Sequence, residues 1–407
     1  MMDKVKLGDC CVKIGSGATP KGGAAVYIDS GTSFIRSQNV YNMHFDFEGL
    51  CHINEDAAIK LNGVTVFPED ILLNITGDSV ARCCIVPDVV LPARVSQHVS
   101  IVRPDKTKIL PKYLLYYLCS PFMQATMLGV AVGKGSSRNA MTKGMIEGFE
   151  VPCPSLSEQQ RIISQLEPFD AIIENSQKQI ALLEEAAQRV YKEWFVDLRF
   201  PGYESSILED GIPRGWRKEQ ADSFFDITIG KTPPRAESKW FVTEGGIPWV
   251  SISDMGKSGT YVFDTNEQLT ADAITKHNVK VVQPGTVFVS FKLTVGKVSI
   301  ATVPMCTNEA IAHFRIPEIA LRDYSYWYLH EFKYDTLGNT SSISQAVNSK
   351  IIKAMPFIMP DTKTIEAFSS IISPMMSQIK TCQEKCIMAE EARDILLQKL
   401  LTEVPIQ

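Results

Sequence analysis

The sequence predicts an α+β chain in which two tandem β-rich globular units alternate with two long antiparallel helices. The helices are expected to form a coiled-coil spacer, and the whole to be a pseudo-twofold internal repeat. Three observations carry this reading. Two amphipathic helical patterns, starting at Ser157 and Lys363, share one register at a constant offset of 206 residues. Blocks of residues ahead of each helix match in the same order. Short β-branched runs punctuated by Gly, Pro and Asp fill those blocks.

The helices come first because they fix the repeat. In the first pattern the seam runs Ile162, Leu166, Phe169, Ile173, Ser176, Ile180, Leu183, Ala187, Val190 and Trp194. Steps of four and three alternate, which is a heptad a/d seam with one polar member. In the second it runs Phe368, Ile372, Met375, Ile379, Cys382, Cys386, Ala389, Arg393, Leu396 and Leu400. Pro168 maps onto Pro374 and Pro154 onto Pro360 at the same offset, so the two seams are a duplication. Ser157 with Gln160 has the form of a capping box. A proline inside a helix removes one hydrogen bond. A break or kink is therefore expected at Pro168, with a longer helix from about 168 to 197, and likewise a break at Pro374.

A lone a/d seam needs a partner to bury it. Each seam is the obvious partner of the other, and pseudo-twofold symmetry requires the two to run antiparallel. The stretch EWFVDLRFPGYE (193–204) closes the first helix. Trp194 is the last seam member and the counterpart of Leu400. Phe195, Leu198 and Phe200 fall off the seam and are expected to anchor the helix end against a globular unit or a docked partner. Pro201-Gly202 is expected to end the helix.

The chain thus divides into residues 1–155 as first globular unit, 156–199 as central helical region, 200–215 as linker, 216–361 as second globular unit and 362–407 as C-terminal helical region. Within the units, Thr19-Pro20 matches Thr232-Pro233, Phe34-Ile35 matches Trp249-Val250, and Pro68 matches Pro284 ahead of ILLNIT and TVFVSF. The run YLLYYL (113–118) matches YSYWYL (324–329) and reads as a core helix packed on a sheet.

Composition excludes several classes. With 45% hydrophobic and 21% charged residues the chain reads as globular, and no apolar run is long enough for a membrane span. The N-terminus has no apolar signal-like region. Ten cysteines without ligand spacing read as free thiols in a reducing cytoplasm, not as a metal site. The net charge of −5 does not describe a protein that grips nucleic acid over its whole surface. Acid-free basic stretches between Asp105 and Glu147 and between Asp272 and Glu309 are local sources of phosphate attraction. Residues 157–199, with eight acids and five bases, suit solvent or protein partners instead. No phosphate-binding glycine loop, dinucleotide fingerprint, HExxH or GxSxG is present, so a binding or scaffold role leads. From Phe169 to Trp194 the helix spans roughly 39 Å, about one turn of duplex DNA. That is the usual separation of half-sites read by twofold dimers.

The chain resembles the specificity (S) subunits of type I restriction–modification systems. The resemblance covers nearly the full length. It rests on VKLGDCCVKIGSGATP, FPEDILLNITGDSVARCCIVP, RVSQHVSIVRP, the junction FEVPCPSLSEQQRI, and EWFVDLRFPGYE followed by GIPRGW. The second junction, FIMPDTKTIEAF, lacks the Glu-Gln-Gln run. The resemblance implies two target recognition domains, each reading one half of a bipartite asymmetric DNA sequence. It implies helices that set the spacer and dock methyltransferase (M) subunits, two in number, with restriction (R) subunits as further partners. It implies no catalysis and no cofactor on this chain: S-adenosylmethionine and ATP with magnesium belong to the partner subunits. A non-DNA scaffold presenting two β-rich modules on a coiled coil is the alternative.

Base edges are read by polar side chains on loops. In the first unit the candidates are Thr19, Lys21, Arg36, Gln38, Asn39, Lys134, Ser136, Arg138 and Asn139. In the second they are Lys231, Thr232, Arg235, Ser251, Ser253, Asp254, Lys292, Ser344, Gln345 and Asn348. Gln97-His98 and Asn308-Glu309 occupy matching places and are expected to make structural hydrogen bonds.

Overall fold

A computed structural model describes residues 4–132, 139–292, 294–337 and 347–403, with side chains to Leu401. The chain divides into two compact units: Met1–Ile173 with Ile387–Gln407, and Glu174–Cys386. Each takes its own share of both long helices.

In the first unit a four-stranded sheet has the order Cys83–Ile85, Ile71–Asn74, Val99–Pro104, Cys11–Ser16. A five-stranded sheet has the order Tyr27–Ile28, Cys51–Ile53, Thr32–Ile35, Ala93–Val95, Thr65–Val66. Its Thr32–Ile35 and Ala93–Val95 strands are parallel. The run ILLN shows no polar alternation because both of its faces are covered. Ile71 and Leu73 enter a cluster with Tyr113, Leu114 and Leu118. Leu72 points the other way, into a cluster with Ile35, Val95 and Ile101. This is the period of two that a strand imposes.

The second unit repeats the plan. Its main sheet has the order Asp226–Ile229, Ile311–Arg315, Val287–Ser290, Val298–Ala301, Tyr261–Val262. Its smaller sheet has the order Phe241–Val242, Gln268–Leu269, Ile247–Val250, Cys306–Thr307, and again the last two strands are parallel. Val287 and Val289 join one core while Phe288 joins another. In both units the tyrosine-rich helix lies buried, and its hydroxyls tie the strand that precedes the long helix. Tyr113 and Tyr117 donate to Pro152 O and Glu150 O at 3.0 and 3.1 Å. Tyr324 and Tyr328 donate to Ile358 O and Pro356 O at 2.6 and 2.9 Å.

The first long helix spans Leu156–Tyr191 and the second Thr362–Glu403. Neither breaks at its proline, contrary to the sequence expectation. Pro168 and Pro374 both sit on the exposed side, as do Ser164 and Ser370, whose carbonyls lose their helical donor. A carbonyl on an exposed face stays open to solvent, so the loss of one bond does not stop the helix. The first cap is Ser155 rather than Ser157: its Oγ accepts from Glu158 N at 3.3 Å. Asp361 does the same for Thr364 N at 3.0 Å.

The helices pair antiparallel. Within the first unit Asp170 meets Arg393, and within the second Gln179 meets Cys382 and Trp194 meets Phe368. Every seam position is buried or half-buried. At two places in the second helix the deeper residue is the neighbour of the expected one. Met376 and Leu397 are buried, while Met375 and Leu396 are half-buried. A helix of 3.6 residues per turn drifts off a 3.5-residue repeat in this way.

Nor does Pro201-Gly202 terminate the first helix. It widens into a π turn over Lys192–Val196 and stops at Leu198, which takes a left-handed conformation at φ 57°. The wide turn places Trp194 and Phe195 on consecutive buried positions, and both enter the core of the second unit with Phe200 and Trp216. Phe195 lies 4.7 Å from Tyr324 and 4.9 Å from Phe368 between ring centroids. Among the described residues no single helix is long and apolar enough to cross a membrane.

Candidate nucleic-acid interface

Both units send the chain across a strand end at a glycine. In the first, Gly17 N and Ala18 N donate to Val99 O and Val95 O at 2.8 and 3.1 Å. A Cβ on Gly17 would come within 2.1 Å of Val95 O. In the second, Gly230 N and Lys231 N donate to Ile311 O and Thr307 O at 3.1 and 2.9 Å. A Cβ on Gly230 would come within 2.1 Å of Asn308 O. Only glycine permits this approach. The crossing places Thr19 and Lys21, both exposed, just beyond it in the first unit, and Lys231 and Thr232 in the second.

In the first unit the RSQN run clasps a loop. Arg36 Nη2 donates to Gly49 O at 2.8 Å, and Gln38 Nε2 reaches the same carbonyl at 3.5 Å. Asn39 is fully buried: its Oδ1 accepts from Arg36 N at 3.0 Å, and its Nδ2 donates to Asp46 O and Glu48 O at 3.0 and 3.2 Å. Its amide is consumed inside the unit, so it shapes the loop while Gln38 stays exposed. Gln38 and Asn139 both line a groove of about 570 Å³. Tyr41, Thr76, Arg82 and His98 line it as well. Thr76 Oγ1 and His98 Nδ1 are 2.7 Å apart, and the Arg82 guanidinium lies 4.6 Å from the Tyr41 ring centre. These four were not among the sequence candidates. The signal available was the GDSVAR stretch, a Gly-Asp-Ser turn that delivers an arginine to the start of a strand. Lys134, Ser136 and Arg138 lie outside the described residues.

In the second unit Lys231, Thr232 and Arg235 come together around an aromatic pair. The Arg235 guanidinium sits 4.1 Å from the Phe241 ring and 4.5 Å from the Trp249 ring, and pairs with Glu267 at 2.8 Å. Trp249 Nε1 donates to Lys231 O at 3.2 Å. Thr232 Oγ1 donates to the Glu309 carboxylate, and this bond leads in holding that carboxyl below its usual range. Ser251 and Asp254 do not join them. They form a capping box, with Asp254 buried and its second oxygen accepting from Asn266 Nδ2 at 2.6 Å. Ser253 and Lys292 are exposed elsewhere. Asn348 caps the helix Ser349–Lys353, its Oδ1 accepting from Lys350 N at 2.9 Å. Ser344 and Gln345 lie outside the described residues.

The two acid-free stretches differ in space. Lys106, Lys112 and Lys143 pair with Glu69, Glu167 and Glu147, and Lys108 approaches Asp105 at 3.7 Å. Folding therefore brings Lys106 and Lys112 to acids distant in sequence, while Lys108 and Lys143 pair with the two acids that bound the stretch. Among the described residues, Lys276, Lys280, Lys292 and Lys297 of the second form no ion pair within 4.0 Å. No group of side chains able to hold a metal ion occurs among the described residues.

A family model described as the type I restriction modification DNA specificity domain matches this chain twice, over residues 1–185 and 213–386. The specificity subunit of the type I restriction enzyme MjaIX from Methanocaldococcus jannaschii is 22% identical, across 96% of this chain and 90% of the relative. The specificity subunit of the type I restriction enzyme HindI from Haemophilus influenzae is 20% identical, across 75% of this chain and 80% of the relative. The crystal structure of a type I restriction–modification S subunit from M. genitalium shares the fold, with a TM-score of 0.51 at 12% identity. That likeness covers 100% of this chain and 97% of the other.

Proposed function

Because the chain belongs to the type I restriction–modification DNA specificity family, as a specificity subunit, we propose that it is the non-catalytic reader of a bipartite, asymmetric DNA target. Each globular unit reads one half-site. The antiparallel helices set the spacer between the halves and dock methyltransferase subunits, two in number, with restriction subunits joining the assembly. Adenine-N6 methylation with S-adenosylmethionine, and any ATP-driven step, belong to those partners.

The observation that carries this reading is one fold built twice with different exposed chemistry. Both units place a loop beyond a glycine crossing, beside the end of a parallel strand pair. The first presents Gln38, Arg82 and Asn139 around a groove. The second presents Lys231 and an arginine lying against the edge-to-face pair of Phe241 and Trp249. Two different polar sets on one scaffold suit two different sequences, since base edges are distinguished by donor and acceptor pattern. The unpaired lysines of 272–309 supply sequence-independent attraction to phosphates.

The test is a map of methylated bases in host DNA before and after deletion of the gene for this chain. The expected result is a bipartite N6-methyladenine motif that vanishes on deletion and returns with the intact gene. A methylation pattern untouched by the deletion overturns the reading.

A further inference from the structure

The groove of the first unit contains one arginine held in a particular way. Arg82 lies half-buried with its guanidinium over the Tyr41 ring at 4.6 Å, and no carboxylate pairs with it among the described residues. In the second unit, by contrast, the stacked Arg235 is bonded to Glu267. Arg82 is therefore held against an aromatic ring, and among the described residues its N–H fork has no partner.

The backbone beneath it is held on both sides. Arg82 N donates to Ser79 O at 3.2 Å, and Arg82 O accepts from Asn74 N at 2.8 Å. Ala81 before it has φ 75° and donates to Asn74 O at 2.9 Å. Asn74, fully buried, also donates from Nδ2 to Ser37 O at 2.8 Å and to Val40 O at 3.3 Å. One residue thus ties the turn that bears Arg82 to the segment that bears Gln38 and Tyr41.

The charge pattern separates two targets. Asp78 shares the groove and is exposed. A phosphate track through the groove would meet that carboxylate, whereas a neutral base edge would not. A planar fork of donors matches guanine, which offers O6 and N7 side by side in the major groove. We propose that Arg82 reads a guanine in the half-site of the first unit, with Tyr41 holding the guanidinium plane. The inference rests on the reading that the first unit binds duplex DNA.

The experiment uses the full chain with its cognate methyltransferase subunit, co-expressed in a host lacking adenine methylation, and the methylated motif is sequenced. The intact chain must first yield a bipartite motif; if it yields none, the broader reading fails, and this inference with it. Arg82→Ala and Arg82→Lys are each expected to make one guanine of one half-site degenerate, with discrimination there reduced roughly tenfold or more. The other half-site should stay unchanged. Tyr41→Leu should relax the same position more weakly. In binding assays, 7-deazaguanine at that position should weaken the intact complex and leave the Arg82→Ala complex indifferent. An unaltered motif in Arg82→Ala overturns the inference. So does a uniform loss of methylation with the motif preserved, which marks a phosphate contact, or an unchanged motif with Lys, which shows that the planar fork is not required.

Discussion

Arg393 of the second long helix meets Asp170 of the first at 3.1 Å, on a seam otherwise filled by apolar or small side chains. The same carboxylate accepts from Tyr116 at 2.5 Å and lies 3.4 Å from Lys112. The only charged member of either seam thus has a built partner. Removing one side of a buried pair costs more than the pair contributes, because the other charge stays behind. The pair is partly exposed, so Arg393→Ala should destabilise the helix pairing of the first unit by about 2 kcal/mol. Hydrogen exchange over residues 156–173 and 387–401 checks this, with faster exchange in the variant.

Phe195 is the most heavily stacked of the residues that close the first helix. It touches the rings of Tyr191, Trp216, Tyr324 and Phe368. Phe195→Ala should cost about 3–5 kcal/mol through the cavity it leaves. Trp194→Ala should loosen the same joint and impair assembly without changing which bases are read. Denaturant unfolding of both variants, with mapping of the methylated motif for Trp194→Ala, tests the two statements.

His313 is buried between Thr307 Oγ1 at 2.6 Å and Thr228 Oγ1 at 3.0 Å. Burial pushes its pKa down from 6.5 to about 4. Below pH 6.5 the unfolded chain takes up a proton that the folded unit refuses. Stability is therefore full above pH 6.5 and falls as the pH drops through about 4, by about 3 kcal/mol in all. Urea unfolding between pH 7 and 4 should show that loss for the second unit, and His313→Gln should flatten it.

Gly17 and Gly230 give a paired prediction. Gly17→Ala should displace the loop bearing Thr19 and Lys21 and weaken recognition of one half-site. Gly230→Ala should do the same for the other, through Lys231 and Thr232. Methylation of targets mutated in one half at a time, by the assembled complex, separates the two effects.

Much of the architecture was legible in the sequence because it is written in spacing. The offset of 206 residues aligns two seams and two pairs of prolines, two tyrosine-rich runs recur in the same order ahead of them, and the helices pair as that symmetry demands. What spacing does not carry is which side of a helix faces water. Pro168 and Pro374 read as breaks, yet on an exposed face the freed carbonyl finds solvent and the helix runs on. The interface was harder to read. Asn39, Asp254 and Asn348 have the residue types of base readers, but their side chains complete caps and loops. Nothing local in the sequence marks Arg82 as a stacked arginine, because that character comes from Tyr41, 41 positions away. Lys106 and Lys112 read as free because their partners, Glu69 and Glu167, are remote in sequence.

The central claim is that the helices act as a ruler between two independent readers. Four residues inserted after Ile173 and four after Cys386, where each helix passes from one compact unit to the other, would add about 6 Å to both helices at facing levels. Sequencing the methylated motif of the assembled complex should then return both original half-sites with a spacer longer by about two base pairs. Both half-sites separated by the original spacer would contradict the account.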